Sequence, residues 1–308
     1  MNVLLIDLDS TIPNLALMKV STYYKDRGHT VGWAIEDPDI AYISCIFKKN
    51  AEKAKSSEYM LKTLYPNIKI DLGGPGVSLS KKLPEDIENC QPDYTIYPDC
   101  DYSIGFTTRG CIRNCSFCIV PKKEGKLKFI QPIEKVHKPK HKAIKLLDNN
   151  VLASPENFKK ICNYCHDNKI KIDFSQGLDA RLLTDELASY LAKVKPMHCF
   201  DFAFDSLDYT KDVINTVELL KKHGINPRSK VMFYVYVSKD MDGPTGVKSA
   251  LIRCDILRNL GTNPYIMLNI DDEPMEIMRD LKRWANRKAI FWSCDFKDYK
   301  KKWAGVTY

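Results

Sequence analysis

Cys111, Cys115 and Cys118 are separated by three and then two residues. Thiolate sulfur is a soft ligand for iron, and thiolates at such a spacing on one loop can hold three irons of a 4Fe–4S cluster. The fourth iron would then have no protein ligand. An open iron suits a cluster that binds a small molecule, whereas electron-carrying clusters ordinarily have four protein ligands. A zinc site would also need a fourth ligand. Cys100 and His137 could supply one, but neither has a usual zinc spacing. With 11 cysteines among 308 residues, the pattern is improbable as an accident.

The other cysteines carry weaker signals. Cys162 and Cys165 form a Cys-x2-Cys pair inside a helical pattern, with no second pair to complete a metal site. Cys45, Cys90, Cys199, Cys254 and Cys294 stand singly and read as small apolar filler. An odd cysteine count, with its tightest group at metal-ligand spacing, argues for a reducing, cytoplasmic setting and against a disulfide framework.

Hydrophobic content of 44% and charged content of 28% are ordinary for a soluble globular chain. No apolar run approaches the ~18 residues of a membrane span, so no membrane partner is expected. The first seven residues lack a basic leader and a cleavage site and read as a strand. The net charge is +8. Its positive residues gather at 279–302 and at 122–145. The latter stretch holds Lys122, Lys123, Lys126, Lys128, Lys135, Lys138, Lys140, Lys142 and Lys145 against Glu124 and Glu134. Such a stretch can attract nucleic acid or an acidic redox partner, or be a solvated surface.

The elements that must position the cysteines follow from hydrophobic periodicity. Strands are expected at 3–8, 30–35, 40–47 and 68–72, with helices at 13–27 and 51–65. The strand at 68–72 ends in Gly73-Gly74-Pro75-Gly76, where a backbone could approach a ligand or simply turn. Strand–helix alternation of this kind describes an open, doubly wound sheet. Residues 81–101 read as a connection with one short strand at 94–97. A strand at 103–107 then delivers the cysteine loop. Further strands are expected at 143–147, 171–174, 199–204, 230–237 and 265–270. The helices between and after them fall at 155–168, 184–192, 208–223, 248–260 and 279–286, with Ser154 and Thr184 as N-caps. Six parallel strands with intervening helices suit a partial or complete β/α barrel.

A strand, then Cys-x3-Cys-x2-Cys with Phe117 before the last cysteine, then βα alternation, resembles the radical S-adenosylmethionine (SAM) superfamily. Thr107-Thr108-Arg109-Gly110-Cys111 resembles the branch with a cobalamin-binding-type domain before the barrel. The N-terminal region, from Asn14-Leu15-Ala16-Leu17-Met18 through Arg27-Gly28-His29-Thr30-Val31 and Ile43-Ser44 to Gly73-Gly74, is similar to that domain. The resemblance covers nearly all of residues 1–290. It implies an α/β chain with an N-terminal doubly wound Rossmann-like domain over 1–101 and a partial (β/α)6 radical SAM barrel over 102–278. A C-terminal helix and tail over 279–308 would pack on the barrel.

The resemblance further implies a 4Fe–4S cluster on Cys111, Cys115 and Cys118, with SAM on the open iron. A flavodoxin- or ferredoxin-type donor would reduce the cluster, and SAM would yield a 5′-deoxyadenosyl radical that abstracts hydrogen from substrate. Phe117 would lie beside the adenine. Asp148, Asn149 and Asn150, after the second barrel strand, would hold the SAM amino group. Gln176, Asp205 and Ser206 sit where relatives contact the ribose or carboxylate, and Arg181 could pair with the methionine carboxylate. Tyr234 and Tyr236 would share one face of their strand. Each of these also has a plain reading as a turn, a core aromatic or a surface ion pair. The loop Asp7-Leu8-Asp9-Ser10-Thr11-Ile12 lacks the histidine that is cobalamin's lower axial ligand in the domain's best-known form.

Within this branch the substrate is open: a small molecule, nucleotide, RNA or peptide. Methyl transfer to carbon and cobalamin-independent hydrogen abstraction both fit. Methylthiotransferases need three more N-terminal cysteines for a second cluster. Here only Cys45, Cys90 and Cys100 precede the motif, and a second cluster is not expected. Two other classes compete: a non-catalytic Fe–S electron-transfer or sensor protein, and a nucleic-acid-binding module using 122–145. The aromatics Trp284, Phe291, Trp292, Tyr299 and Trp303 among lysines could stack bases or pack against the barrel.

Overall fold

A computed structural model describes residues 1–238, 246–269 and 275–300. Its architecture is mixed α/β with parallel sheets. The chain divides into two units, one holding Met1–Gly105 and Arg113–Gly125, the other Phe106–Ile112 and the described residues from Lys126 onward.

The first unit contains β1 (Asn2–Asp7), α1 (Leu15–Lys25), β2 (Thr30–Gly32), β3 (Ile40–Ser44), α2 (Ala51–Leu64) and β4 (Lys69–Gly73). The four strands are parallel in the order β2-β1-β3-β4. Strand alternation sends Leu4 to one face, where Ala41, Ile43 and Leu61 of α2 join it. On the other face α1 packs, and its Tyr24 hydroxyl meets that of Tyr42 at 3.0 Å. Asn14 starts α1 by accepting from Leu17 N–H at 3.2 Å, and Gly28 ends it at φ +75°.

Three expectations change here, the first being that the strand expected at 30–35 ends at Gly32. Strand β3 stops at Ser44 because Asp9 draws off the next backbone, accepting from the N–H groups of Ile46 (2.7 Å) and Phe47 (3.0 Å). The strand expected at 94–97 is a 3₁₀ turn, Tyr94–Ile96. Asp93 caps it, accepting from the Thr95 N–H at 2.8 Å, and this local bond outcompetes extended pairing.

In the second unit β5 (Ala143–Leu146), α3 (Pro155–Asp167), β6 (Lys171–Phe174) and α4 (Asp185–Leu191) are followed by β7 (Phe200–Ala203), α5 (Thr210–Lys222), β8 (Val231–Val237), α6 (Val247–Asn259), β9 (Asn263–Leu268) and α7 (Glu276–Ala285). Strands β5 and β6 pair in parallel, as do β7, β8 and β9. A parallel bridge between Leu178 and Phe202 links the two groups. Ile144, Leu146, Ile172, Phe174, Phe200, Phe202, Phe233 and Val235 turn one face into a core shared with the helices.

Thr184 caps α4, accepting from the Leu187 N–H at 3.2 Å. Ser154 occupies the cap position of α3, but its side chain makes no capping bond. It also directly follows a 3₁₀ turn, Val151–Ala153, which its own N–H closes by bonding the Val151 carbonyl. Trp284 and Phe291 are fully buried and meet edge-to-face at 5.0 Å, so these aromatics are core rather than a stacking platform. Ile270, Lys301, Lys302 and Trp303, also part of the expected elements, lie outside the described residues.

Candidate functional site

The chemistry-bearing residues of the second unit collect at the carboxyl ends of β5, β6 and β7. Asp148 lies two residues past β5 and is buried (4% exposed). Its Oδ1 accepts from the Thr107 N–H at 2.7 Å. Its Oδ2 accepts from the Thr107 hydroxyl (2.5 Å), the Thr108 N–H (2.8 Å) and the Thr108 hydroxyl (2.6 Å). Burial pushes the Asp148 carboxyl above its usual range, and the Thr107 and Thr108 bonds oppose that only in part. Asn157 of α3 donates to the Thr107 hydroxyl oxygen at 2.8 Å. Asn149 accepts from the Gly110 N–H at 2.9 Å. Gly110 has φ +83°, a conformation glycine adopts without penalty. Asp148 and Asn149 therefore hold the segment immediately before Cys111.

Asn150 points differently. Its Nδ2 lies 3.6 Å from Cys111 Sγ and 3.2 Å from Asp179 Oδ2. A carboxylate can only accept, so the Asp179 contact identifies the nitrogen end of the amide. The Asn150 Oδ1 is buried and has no hydrogen-bond partner among the described residues. Asp179 (7% exposed) in turn receives a two-pronged bond from Arg181, Nε to Oδ1 at 2.7 Å and Nη2 to Oδ2 at 3.1 Å. The Arg181 guanidinium sits 4.5 Å from the centroid of the Tyr209 ring.

The expected strand-end positions thus divide. Asp148, Asn149, Asn150 and Arg181 join connected networks. Gln176 is exposed. The Ser206 hydroxyl caps a short turn, accepting from the Asp208 N–H at 3.2 Å and donating to the Asp208 carboxylate at 2.8 Å. Asp205 accepts from the Tyr236 N–H at 3.0 Å; burial raises its carboxyl, with Arg253 and Arg181 acting against the rise. Phe117, in the first unit, is exposed.

Several residues were not anticipated. Arg253, inside α6, is fully buried and donates to the carbonyls of Phe204 (2.8 Å) and Tyr236 (3.1 Å), tying the ends of β7 and β8. The face of the sheet away from the helices is polar. Lys145 pairs with Asp173 across β5 and β6. Asp201 receives the Tyr234 hydroxyl at 2.9 Å and the Cys199 thiol at 3.0 Å. Burial, helped by Asp201, pushes the Cys199 thiol up to about 12, so it stays protonated at neutral pH. Tyr234 meets Tyr265 edge-to-face at 5.9 Å, and Tyr265 and Met267 on β9 are exposed. A parallel sheet usually carries cover on both faces. A charged, hydroxyl-bearing face is one suited to a polar ligand.

None of the three motif cysteines is in a disulfide, and all three are half-buried. Cys111 belongs to the second unit, while Cys115 and Cys118 form a turn in the first, closed by the Cys118 N–H on the Cys115 carbonyl at 3.0 Å. The Cys118 sulfur accepts from the Val120 N–H at 3.5 Å. Among the described residues no three histidine, cysteine or acidic side chains form a ready-made metal-binding group. Cys162 and Cys165 are buried in α3, and burial raises both thiols, Cys165 to about 12, as expected of inert filler.

The glycine turn of the first unit is filled by its own chain. A Cβ on Gly74 would lie 2.3 Å from the Cys45 carbonyl oxygen, and one on Gly76 would lie 2.8 Å from the Phe47 backbone. No helix among the described residues is long and apolar enough to cross a membrane. No known family model matches the chain, and no curated protein matches it.

Proposed function

We propose that this chain is a radical SAM enzyme in which Cys111, Cys115 and Cys118 hold a 4Fe–4S cluster. The observation that carries the reading is the cysteine spacing together with the orphaned Oδ1 of Asn150, the residue whose Nδ2 lies 3.6 Å from Cys111 Sγ. Of Asp148, Asn149 and Asn150, only Asn150 keeps a side-chain oxygen without a hydrogen-bond partner among the described residues. The ammonium of SAM is a donor of the kind that buried oxygen lacks. When bound, the cluster supplies the electron that cleaves SAM reductively to methionine and a 5′-deoxyadenosyl radical. The protein contributes position and electrostatics. Asp148 and Asn149 fix the backbone that leads to Cys111. Arg253 ties the strand ends that carry Asp205 and Tyr236. The polar face with Lys145, Asp173, Asp201 and Tyr234 is the wall offered to substrate.

On this reading the first unit is a Rossmann-like domain and the second a partial barrel with helices outside. The enzyme works in the reducing cytoplasm with a flavodoxin- or ferredoxin-type donor. Cobalamin is not part of this proposal, because the residues where it would bind do not favour it. The loop after β1 has no histidine, and Asp9 is occupied by Ile46, Phe47 and the Asn50 amide at 2.8 Å. The glycine turn is closed by Cys45 and Phe47. The reaction is therefore proposed as cobalamin-independent hydrogen abstraction.

The test is direct. Anaerobically reconstituted protein, reduced with dithionite in the presence of SAM, is expected to release 5′-deoxyadenosine. Absence of that product, together with a cluster EPR signal indifferent to SAM, would overturn the enzyme reading and leave an electron carrier or sensor.

A further inference from the structure

The amide of Asn150 is held in one orientation by Asp179 and, through it, by Arg181. Arg181 grips both oxygens of Asp179. Asp179, so fixed, presents Oδ2 to Asn150 Nδ2 at 3.2 Å. Rotating the amide by 180° would set its oxygen against a carboxylate oxygen, two acceptors with no proton between them. The arrangement therefore locks the nitrogen inward. An amide nitrogen carries two hydrogens. One goes to Asp179, and the other is directed at Cys111 Sγ, 3.6 Å away. Asn150 and Asp179 are both buried, so no water competes freely for these groups.

We infer that Arg181, Asp179 and Asn150 form a positioning relay that keeps an N–H on the Cys111 sulfur and so makes the cluster easier to reduce. The inference rests on the reading of Cys111 as a cluster ligand. Its physical basis is general. Adding an electron places more negative charge on the cluster and its thiolates. A hydrogen bond to a ligand sulfur stabilises that charge and raises the reduction potential. The ion pair matters because it removes the rotamer in which the amide oxygen would face sulfur and repel the same charge. Arg181, expected from the sequence as a carboxylate partner of SAM, is thereby given a partner within the protein.

The experiment is a redox titration of the anaerobically reconstituted full-length chain, followed by EPR, for the wild type, Asn150→Leu and Arg181→Gln. Asn150→Leu removes the N–H at similar volume. Arg181→Gln leaves Asn150 in place but releases Asp179. The expected result is a midpoint shifted to more negative potential in Asn150→Leu, and a smaller shift of the same sign in Arg181→Gln, at unchanged iron content. Should Asn150→Leu fail to fold, Arg181→Gln decides, since its side chain is partly exposed. Midpoints equal to the wild type in a variant that keeps its cluster would overturn the relay alone. A wild-type chain that takes up no cluster would instead overturn the enzyme reading, and the relay with it.

Discussion

Asp148 and Thr107 are tied at two points: the Thr107 N–H to Oδ1 at 2.7 Å and its hydroxyl to Oδ2 at 2.5 Å. Forty-one positions separate them in the chain. With Thr108 repeating the pattern on Oδ2, one carboxylate satisfies two backbone N–H groups in the segment that leads to Cys111. Such groups are costly to bury unpaired. Asp148 is thus a clamp on the path to Cys111, and its oxygens are already in use.

Asp148→Asn replaces one oxygen with a donor that must face Thr107 or Thr108 donors. The loss of charge-assisted bonds and the new donor–donor contact are expected to cost about 2–4 kcal/mol. Urea unfolding followed by circular dichroism checks this. The same variant is expected to take up less iron on reconstitution, because the segment before Cys111 loses its anchor.

Cys115→Ala removes one of the three proposed ligands at a half-buried position. Reconstituted wild-type chain is expected to hold about four irons, and the variant a small fraction of that, with unfolding in urea little changed. Chelation of iron from the wild type should abolish 5′-deoxyadenosine formation. Wild-type iron content in Cys115→Ala would show that this thiol is not a ligand. By contrast, Cys162→Ala should keep its iron and lose stability, since it empties a fully buried site in α3.

The parts legible in the sequence are those governed by near neighbours. Cysteine spacing is a local quantity, and apolar runs such as Val231–Val237 announce a strand without reference to its partners. Thr184 was readable as a cap because its bond reaches only to Leu187. Ser154 had the same residue type and position but lies at the close of a preceding turn, which periodicity does not reveal. The grip of Asp148 on Thr107, and of Arg253 on Phe204, spans 41 and 49 positions. Nothing local marks those pairs. Arg253 was hidden further by its neighbours, since Ala250, Leu251 and Cys254 make its helix face read as plain core. Asp179 could have been found: an acid two residues before an arginine at a strand end is a short-range signal.

Gly74→Ala tests the closed turn of the first unit. Gly74 has φ +100°, and an added Cβ would stand 2.3 Å from a backbone oxygen that cannot move without breaking the Cys45 segment. Backbone strain and overpacking together are expected to cost about 3 kcal/mol or more. A melting temperature within error of the wild type would mean that the Cys45–Phe47 segment yields easily, and that the turn has room for a ligand after all.

Asp93 makes a pH-dependent contribution to the first unit. Its carboxylate accepts from the Ser21 hydroxyl (2.7 Å), Lys25 (2.8 Å) and Thr95 N–H and hydroxyl (2.8 and 2.7 Å). Burial alone would raise its pKa, but the bonds from Lys25, Thr95 and Ser21 outweigh it and hold the carboxyl down to about 2. In the unfolded chain it titrates near 3.8. A carboxyl with a lowered folded pKa binds more protons unfolded than folded. Its stabilisation is therefore complete above the unfolded value and is lost as pH falls from about 5 towards about 2. The full contribution is about 2 kcal/mol. Asp93→Asn is expected to destabilise the protein by about that amount at pH 7, with the gap to the wild type closing as pH falls through 4 to 3. Urea midpoints for the two proteins across that range provide the check. A gap that stays constant would show that Asp93 acts by shape and hydrogen bonding and not by its charge.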